Sequence, residues 1–168
     1  MKDKEKYEKN RTDKLVNLLN LNLDYLCHGD HTKYEPDVIY KDKKNMTIGI
    51  EVGTAYFGEY QAKQYWSILR NGWRGKKNIE LLESFGPHPI NREFDSIQFL
   101  INDKCNKPHG YKGVRNKWLL IWDDTLFTDQ DDIIKIIDQL KIPKNTFQKI
   151  YIISYTSAKQ DFELFKVK

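Results

Sequence analysis

The sequence predicts a single α/β domain over residues 1–168, with a mixed central sheet of about four strands flanked by helices. Short apolar runs that are typical of strands recur at 37–40, 46–52, 117–122 and 147–155. Segments whose apolar residues fall at helical spacing precede and separate these runs. Strands that alternate with helices of this length are typical of an α/β sandwich, and neither a repeat nor a Pro/Gly-rich linker divides the chain.

The composition is that of a folded domain rather than a disordered or membrane-spanning chain. Hydrophobic residues make up 39% and aromatic residues 13%, which is enough for a core. No apolar run approaches the roughly 20 residues that a membrane helix needs. The first ten residues alternate Lys with Asp and Glu, so we expect neither a signal peptide nor a transit peptide. Two cysteines, Cys27 and Cys105, are too few for a disulfide framework, which favours a cytoplasmic, reduced setting.

The first half of the chain predicts one helix followed by a hairpin. Leucines at helical spacing predict a helix over about Lys4–Leu26, and Gly29 then interrupts the pattern. Asp37–Tyr40 and Met46–Val52 are predicted strands. The short polar segment Lys41–Asn45 between them indicates an antiparallel connection.

The second half of the chain predicts helices on both sides of two strands. Gly58–Asn71 and about Arg92–Lys104 are predicted helices inserted before the third strand. Lys117–Trp122 is a continuous apolar run, which indicates a strand buried on both faces. A helix over about 128–140 and a last strand over Phe147–Tyr155 complete the order α-β-β-α-α-β-α-β.

Two acids on the predicted hairpin form the pattern that bears on chemistry. Asp37 opens the first strand and Glu51 lies late in the second, so both lie away from the turn. Two carboxylates on adjacent strands make an oxygen-rich site of the kind that Mg²⁺ or Mn²⁺ prefers. Glu51 also stands in an otherwise apolar strand, where an unpaired charge is costly. The spacing fits either a metal-binding pair or two exposed acids at a sheet edge.

The motif around these acids resembles a known superfamily. Pro36-Asp37, a short hairpin and then Ile-Gly-Ile-Glu-Val at 48–52 look like the PD-(D/E)XK nucleases. The later strand–helix–strand region, 117–155, is similar to the second half of that core. The resemblance covers most of the chain from about Tyr34, with the first predicted helix as the leading helix. It implies a restriction-endonuclease-like three-layer core with a helical insertion between the second and third strands.

The resemblance also implies an activity. Asp37, Glu51 and the backbone carbonyl of Val52 would hold Mg²⁺ (or Mn²⁺), and the protein would be a metal-dependent endonuclease that hydrolyses DNA. DNA is then the expected partner, and many such nucleases pair as homodimers. Two alternatives stay open. One is a catalytically decayed nuclease fold that serves as a DNA-binding or protein-assembly module, and the other is a partner-binding protein whose acids are only structural.

One departure from the superfamily pattern concerns its lysine. The pattern places Lys two residues after the glutamate, where this chain has Gly53. In some relatives a neighbouring helix supplies the lysine, and Lys63 is the candidate here. A solvated face of the helix is the alternative interpretation of Lys63. Glu8 from the first helix, or Glu59, is a further candidate ligand.

Two stretches without any acid predict contacts with a polyanion. They span 60–79 and 104–122, in a chain with a net charge of +4. Lys and Arg displace condensed counterions from phosphates, although solvated loops would give the same pattern. Trp73 either stacks on a base or anchors its loop to the core. The candidate nucleic-acid-binding residues are Arg70, Trp73, Arg74, Lys76, Lys77, Lys112 and Arg115.

The remaining polar clusters are interpreted more simply. The acids over 123–132 precede a predicted helix, where they are expected to cap free N–H groups. The four histidines lack the spacing of a zinc site. His28 and His31 lie just before the hairpin, so either an ordinary loop role or a position at the edge of the site is consistent with the sequence.

Overall fold

A computed structural model of the chain describes residues 3–56, 90–107, 113–124, 130–144, 147–156 and 161–168. Within these ranges one six-stranded sheet is covered on both faces by helices. In chain order the elements are α1 (Asp3–Leu18), β1 (Leu23–His28), a 3₁₀ turn (His31–Lys33), β2 (Val38–Asp42), β3 (Thr47–Ala55), α2 (Ile90–Asn106), β4 (Asn116–Asp123), α3 (Gln130–Gln139), β5 (Lys149–Thr156) and β6 (Asp161–Lys166).

The sheet is mixed, as predicted, and its strands lie in chain order from β1 to β6. The pairs β1–β2, β2–β3 and β5–β6 are antiparallel, whereas β3–β4 and β4–β5 are parallel. The parallel strands occupy the centre, where helices cover both faces. This position explains why β4 reads as a continuous apolar run rather than an alternating one.

Alternate side chains of the central strands enter two separate cores. Trp118, Leu120 and Trp122 of β4 belong to the cluster that includes Leu15 and Val16 of α1. The residues between them on β4 belong to the cluster formed with α2 and α3. Its members include Leu119, Ile121, Ile97, Ile101, Ile133 and Ile136. The fold is therefore a three-layer α/β sandwich. Of the helices described, none is long and apolar enough to cross a membrane.

The predicted first helix is too long, because its last eight residues are a turn and the first part of a strand. Helix α1 ends at Leu18, and Asn20 adopts a left-handed φ of 50° that cannot continue it. β1 then pairs with β2 along the edge of the sheet. Leu23 and Tyr25, two residues apart, pack on the α1 core, while Leu26 is exposed. The leucines at positions 18, 19, 23 and 26 therefore belong partly to the period of a helix and partly to that of a strand. The prediction treated all of them as helical.

The strand count is also higher than the predicted four. Besides β1, the prediction missed β6, whose Phe162 and Leu164 pack on the α1 core while Phe165 packs on the opposite one. The hairpin β2–β3, helix α2, strand β4, helix α3 and strand β5 are confirmed with ends shifted by a few residues. The predicted helix Gly58–Asn71 lies outside the described residues.

A close approach between Pro36 and Gly49 fixes the open end of the hairpin. A Cβ atom on Gly49 would lie 2.5 Å from Pro36 Cγ and 2.9 Å from Val114 Cγ1. These separations are shorter than carbon atoms tolerate, so only glycine fits there. The proline ring thereby holds the residue that follows it, Asp37, against the neighbouring strand.

We expect Gly49→Ala to destabilise the fold by about 1–3 kcal/mol, because Pro36 and Val114 must move. For a chain of this size each kcal/mol lowers Tm by roughly 2–4 °C, which thermal unfolding followed by circular dichroism would measure. Gly53→Ala is the matched control, since its Cβ would meet Leu100 Cδ2 at an ordinary 3.5 Å. It should be neutral or stabilise by up to about 1 kcal/mol. Equal melting of Gly49→Ala and wild type would contradict the packing argument.

Candidate functional site

A cleft of about 280 Å³ opens where α1, β3 and α2 meet at the open end of the hairpin. Helix α1 contributes Lys4, Tyr7 and Glu8 to its wall, and Asp37 enters from the start of β2. Strand β3 contributes the segment 52–54. Helix α2 contributes Leu100, Asp103, Lys104 and Lys107. Residues from three distant parts of the sequence therefore face one space.

Asp37 lies at the inner end of the cleft, where the hairpin places it beside the second strand. Its carboxyl is 4% exposed, and its Oδ2 accepts a hydrogen bond of 2.8 Å from the Val52 N–H. Burial raises the pKa of the Asp37 carboxyl, and the nearby Lys104 ammonium opposes that rise. The contact from Val52 to Asp37 is made by the amide group. The role of the Val52 carbonyl as a metal ligand stays a prediction.

Glu51 points to the opposite face of β3, toward α2, and pairs with Lys104. The Lys104 Nζ lies 2.6 Å from Glu51 Oε1, and both side chains are largely buried. Burial disfavours the charged form of Lys104, but the charges of Glu51 and Asp37 outweigh it, so the pKa of the ammonium is raised. The pair explains how a charged residue is accommodated in an apolar strand. Asp37 and Glu51 thus interact with the same ammonium group.

Lys104 reaches Glu51 by passing over Gly53. A Cβ atom on Gly53 would lie 3.8 Å from Lys104 Cε and 3.5 Å from Leu100 Cδ2. A side chain at position 53 would therefore lie against Leu100 and Lys104 of α2 at ordinary contact distances.

Sequence reasoning missed Lys104 and named Lys63, which lies outside the described residues. The signal was nevertheless present in the spacing of α2. Lys104 follows Ile97 by seven residues and Ile101 by three, and both isoleucines are fully buried. A helical wheel therefore places Lys104 on the buried face, where a charge requires a partner.

Glu8 and His31 extend the acidic end of the cleft. One ligand atom from each of Glu8, His31 and Asp37 lies within 4.8 Å of the others. Glu8 is 4% exposed, and its Oε2 is buried without a hydrogen-bond partner. Burial raises the pKa of Glu8, while Lys4, 3.1 Å away, lowers it. The suggestion that Glu8 lies near the site is thus supported by the geometry, and Glu59 lies outside the described residues.

A buried arginine fixes α1 so that Glu8 faces Asp37. Arg11 is 5% exposed and lies between the rings of Tyr7 and Trp122, at 3.8 and 4.5 Å from their centroids. Its guanidinium donates to Thr54 Oγ1 at 2.8 Å and to Asp124 Oδ2 at 3.0 Å. These contacts join α1 to the carboxyl ends of β3 and β4.

The acids over 123–132 divide between two roles. Asp131 and Asp132 lie in the first turn of α3, where acids suit the positive end of the helix dipole, whereas Asp129 lies outside the described residues and capping by it stays a prediction. Asp124 instead pairs with Arg11, and Asp123 accepts a hydrogen bond of 2.7 Å from the Ser154 hydroxyl. For these two residues the capping interpretation was wrong. They stabilise contacts between layers and between strands.

The predicted contacts with nucleic acid are mostly untested by the structure. Arg115 is exposed at the start of β4, beside Met46 and Thr47. Thr47 precedes Val52 by five residues, or about 16 Å of strand, so Arg115 does not face the cleft. The cleft rim instead carries Lys4 and Lys107. The other candidates lie outside the described residues; they are Arg70, Trp73, Arg74, Lys76, Lys77 and Lys112.

Comparisons with known proteins give no relative from which a function can be transferred. No protein-family model matches the chain, and neither a curated protein nor a solved structure matches it significantly.

Proposed function

We propose that the protein is a metal-dependent endonuclease that hydrolyses phosphodiester bonds of DNA at this cleft. One observation carries the proposal: the Lys104 side chain passes over Gly53 and ends 2.6 Å from Glu51. The chain therefore keeps a lysine beside the two carboxylates, although its sequence lacks one at the expected position. This arrangement favours a working hydrolytic site over a decayed one.

The residues present fit a divalent cation. Asp37 is a buried carboxylate whose charge is disfavoured by burial, and the buried Glu8 Oε2 lacks a hydrogen-bond partner. A cation beside them would stabilise both charges. Asp37 and Glu51, together with the Val52 carbonyl, stay the predicted ligands for Mg²⁺ or Mn²⁺; Asp37 is the carboxylate that also lies beside Glu8, whereas an oxygen of Glu51 is already paired with Lys104. When bound, such a cation polarises a phosphoryl oxygen and lowers the pKa of water.

Lys104 would stabilise the negative charge that develops on the phosphoryl oxygens. The raised pKa of its ammonium keeps it charged at neutral pH. In the reaction a water oxygen forms a bond to phosphorus and the P–O ester bond to the leaving sugar oxygen breaks. The attacking water releases a proton to solvent and the leaving oxygen takes one from solvent, so the products are a phosphate end and a hydroxyl end.

The cleft rim supports a phosphate-bearing substrate. Lys4 and Lys107 line it, and each is paired with an acid four residues away, Glu8 and Asp103. Both lysine side chains are more than half exposed, so phosphates can compete for them in solution. The homodimer suggested by the superfamily stays a prediction, which sedimentation would measure.

Substitution of either carboxylate should abolish cleavage, and because Glu51→Gln also removes the buried ion pair with Lys104, circular dichroism must show that this variant is folded before its rate is compared. We expect Asp37→Asn and Glu51→Gln each to slow nicking of supercoiled plasmid by at least about 100-fold in Mg²⁺ or Mn²⁺. The side-chain amide oxygen of the Asp37→Asn variant can still accept a hydrogen bond from the Val52 N–H, so the hairpin should persist. Asp138→Asn, on the exposed face of α3, is the control with the same charge change. Wild-type protein that binds DNA but cuts neither duplex nor single strands would replace the proposal with the binding-module alternative.

Loss of the α2 lysine should slow chemistry rather than metal binding. We expect Lys104→Met to lower the single-turnover cleavage rate by about 10²–10³-fold, since one stabilising cation is removed. Metal affinity measured by calorimetry should not fall, because the variant lacks the ammonium group that competes with a cation for Glu51. Lys135→Met, which removes an exposed lysine that pairs with Asp132 on α3 away from the cleft, should cut at close to the wild-type rate.

A relocation of the lysine tests the same assignment more sharply. Because the Lys104 side chain passes over Gly53, a lysine introduced at position 53 can enter the same space once Lys104 is shortened. The double variant Gly53→Lys, Lys104→Ala should therefore cut faster than Lys104→Ala alone. A full rate in Lys104→Met would remove Lys104 from the mechanism.

A further inference from the structure

We propose that Glu8, His31 and Asp37 form a site for a first-row transition metal, for which Mn²⁺ is the probe, with the His31 imidazole as the ligand that selects such a metal over Mg²⁺. The inference deepens the proposed function, on which it rests for the role of the cation, but binding alone tests it. Three elements meet here, since Glu8 comes from α1, His31 from the 3₁₀ turn and Asp37 from the start of β2. The ligand atoms lie within 4.8 Å of one another.

The Glu8 carboxylate is the observation that points to a ligand. Its side chain is buried, and its Oε2 has no N–H or hydroxyl donor; the group beside the carboxylate is the Asp37 carboxyl, a second acid. Its other oxygen faces Lys4 Nζ at 3.1 Å, and that lysine side chain is 56% exposed. A buried carboxylate oxygen without a donor is unfavourable, and a cation at this position would satisfy it. When a cation binds to Glu8 Oε2, the Lys4 ammonium can keep its ion pair with Glu8 Oε1 or move into solvent.

His31 is held toward Asp37 by its turn. Asp30 caps the turn, because its Oδ1 accepts from the Thr32 N–H at 3.0 Å and from the Thr32 hydroxyl at 2.6 Å. The His31 Nδ1 then lies 3.7 Å from Asp37 Oδ1. That distance is too long for a hydrogen bond. It is within the span of two metal–ligand bonds of about 2.1 Å each.

His28 has a different role from His31. Its Nδ1 lies 2.9 Å from the backbone oxygen of Asp37, so it supports the main chain rather than the carboxylate. The His31 side chain is 54% exposed. Solvent can therefore reach the remaining positions around a cation at this site.

The donor set decides which cation is preferred. Mg²⁺ favours oxygen ligands and gives up its water shell reluctantly. Imidazole suits first-row transition metals, and carboxylates suit Mn²⁺ as well as Mg²⁺. Two carboxylates with one imidazole therefore favour Mn²⁺ over Mg²⁺.

Calorimetric titration of the full chain with MnCl₂ and with MgCl₂ tests the site. We expect Mn²⁺ to bind at least about tenfold more tightly than Mg²⁺. His31→Ala should weaken Mn²⁺ binding by about 10–100-fold while changing Mg²⁺ binding by less than about twofold. Glu8→Gln should weaken both metals. The matched control is Glu5→Gln, one turn earlier on α1 and outside the cluster.

Pulsed electron paramagnetic resonance on the Mn²⁺-loaded protein supplies a readout that a structural role would not produce. A nitrogen coupling of the imidazole type should be present in wild type and absent in His31→Ala. His31→Asn repeats the test with a polar side chain if the alanine variant disturbs the turn. Equal affinity for the two metals, unchanged Mn²⁺ binding in both His31 variants, or no nitrogen coupling would each overturn the inference.

The two proposals fail in different ways. If Mn²⁺ binds through His31 but the protein cuts no DNA, the metal site stands and the nuclease does not. If DNA is cut and His31→Ala binds Mn²⁺ as wild type does, the nuclease stands and the inference is wrong.

Discussion

The ion pair between Lys104 and Glu51 is the constraint on which the arrangement of the cleft depends. It joins the α2 layer to the central sheet through two largely buried charges at 2.6 Å. Removal of one partner would leave the other charge buried, which costs about 3–5 kcal/mol in comparable pairs. Helix α2 must therefore keep the register that brings Lys104 over Gly53. The absence of a side chain at position 53 and the path of the lysine are consequences of the same contact.

On the opposite face of the sheet, Arg11 fixes the position of α1 in a similar way. Its guanidinium contacts Thr54 and Asp124 near the ends of β3 and β4, so α1 cannot slide along the sheet without breaking both contacts. Glu8 lies three residues earlier on the same helix and is held beside Asp37. Two ion pairs, one for each helical layer, thus bring charges from distant parts of the chain to the open end of one hairpin. The fold assembles the site, and no local segment contains it.

The sequence predicted those features that local patterns encode. The hairpin and its two acids were found because an alternation of period two and a polar turn are local signals. The end of α1 was missed because leucines of a helix and of an edge strand follow one another without a strong break. Lys104 was missed as the partner of Glu51, since 53 residues separate them and only the packing of α2 on β3 brings them together. A helical wheel of α2 places Lys104 on the buried face, but it carries no information that identifies Glu51 as the partner.

The route by which Lys104 passes over Gly53 also constrains how such a site changes by single substitutions. A chain with lysine at both positions would bring two ammonium groups toward one carboxylate in a space that accommodates one side chain. A chain with lysine at neither position would leave Glu51 charged and buried without this partner. Either arrangement is less favourable than a single lysine beside Glu51. Two proteins can therefore bring an ammonium group to the same carboxylate from different elements, and the space that a side chain fills is then a better basis for comparison than its position in the sequence.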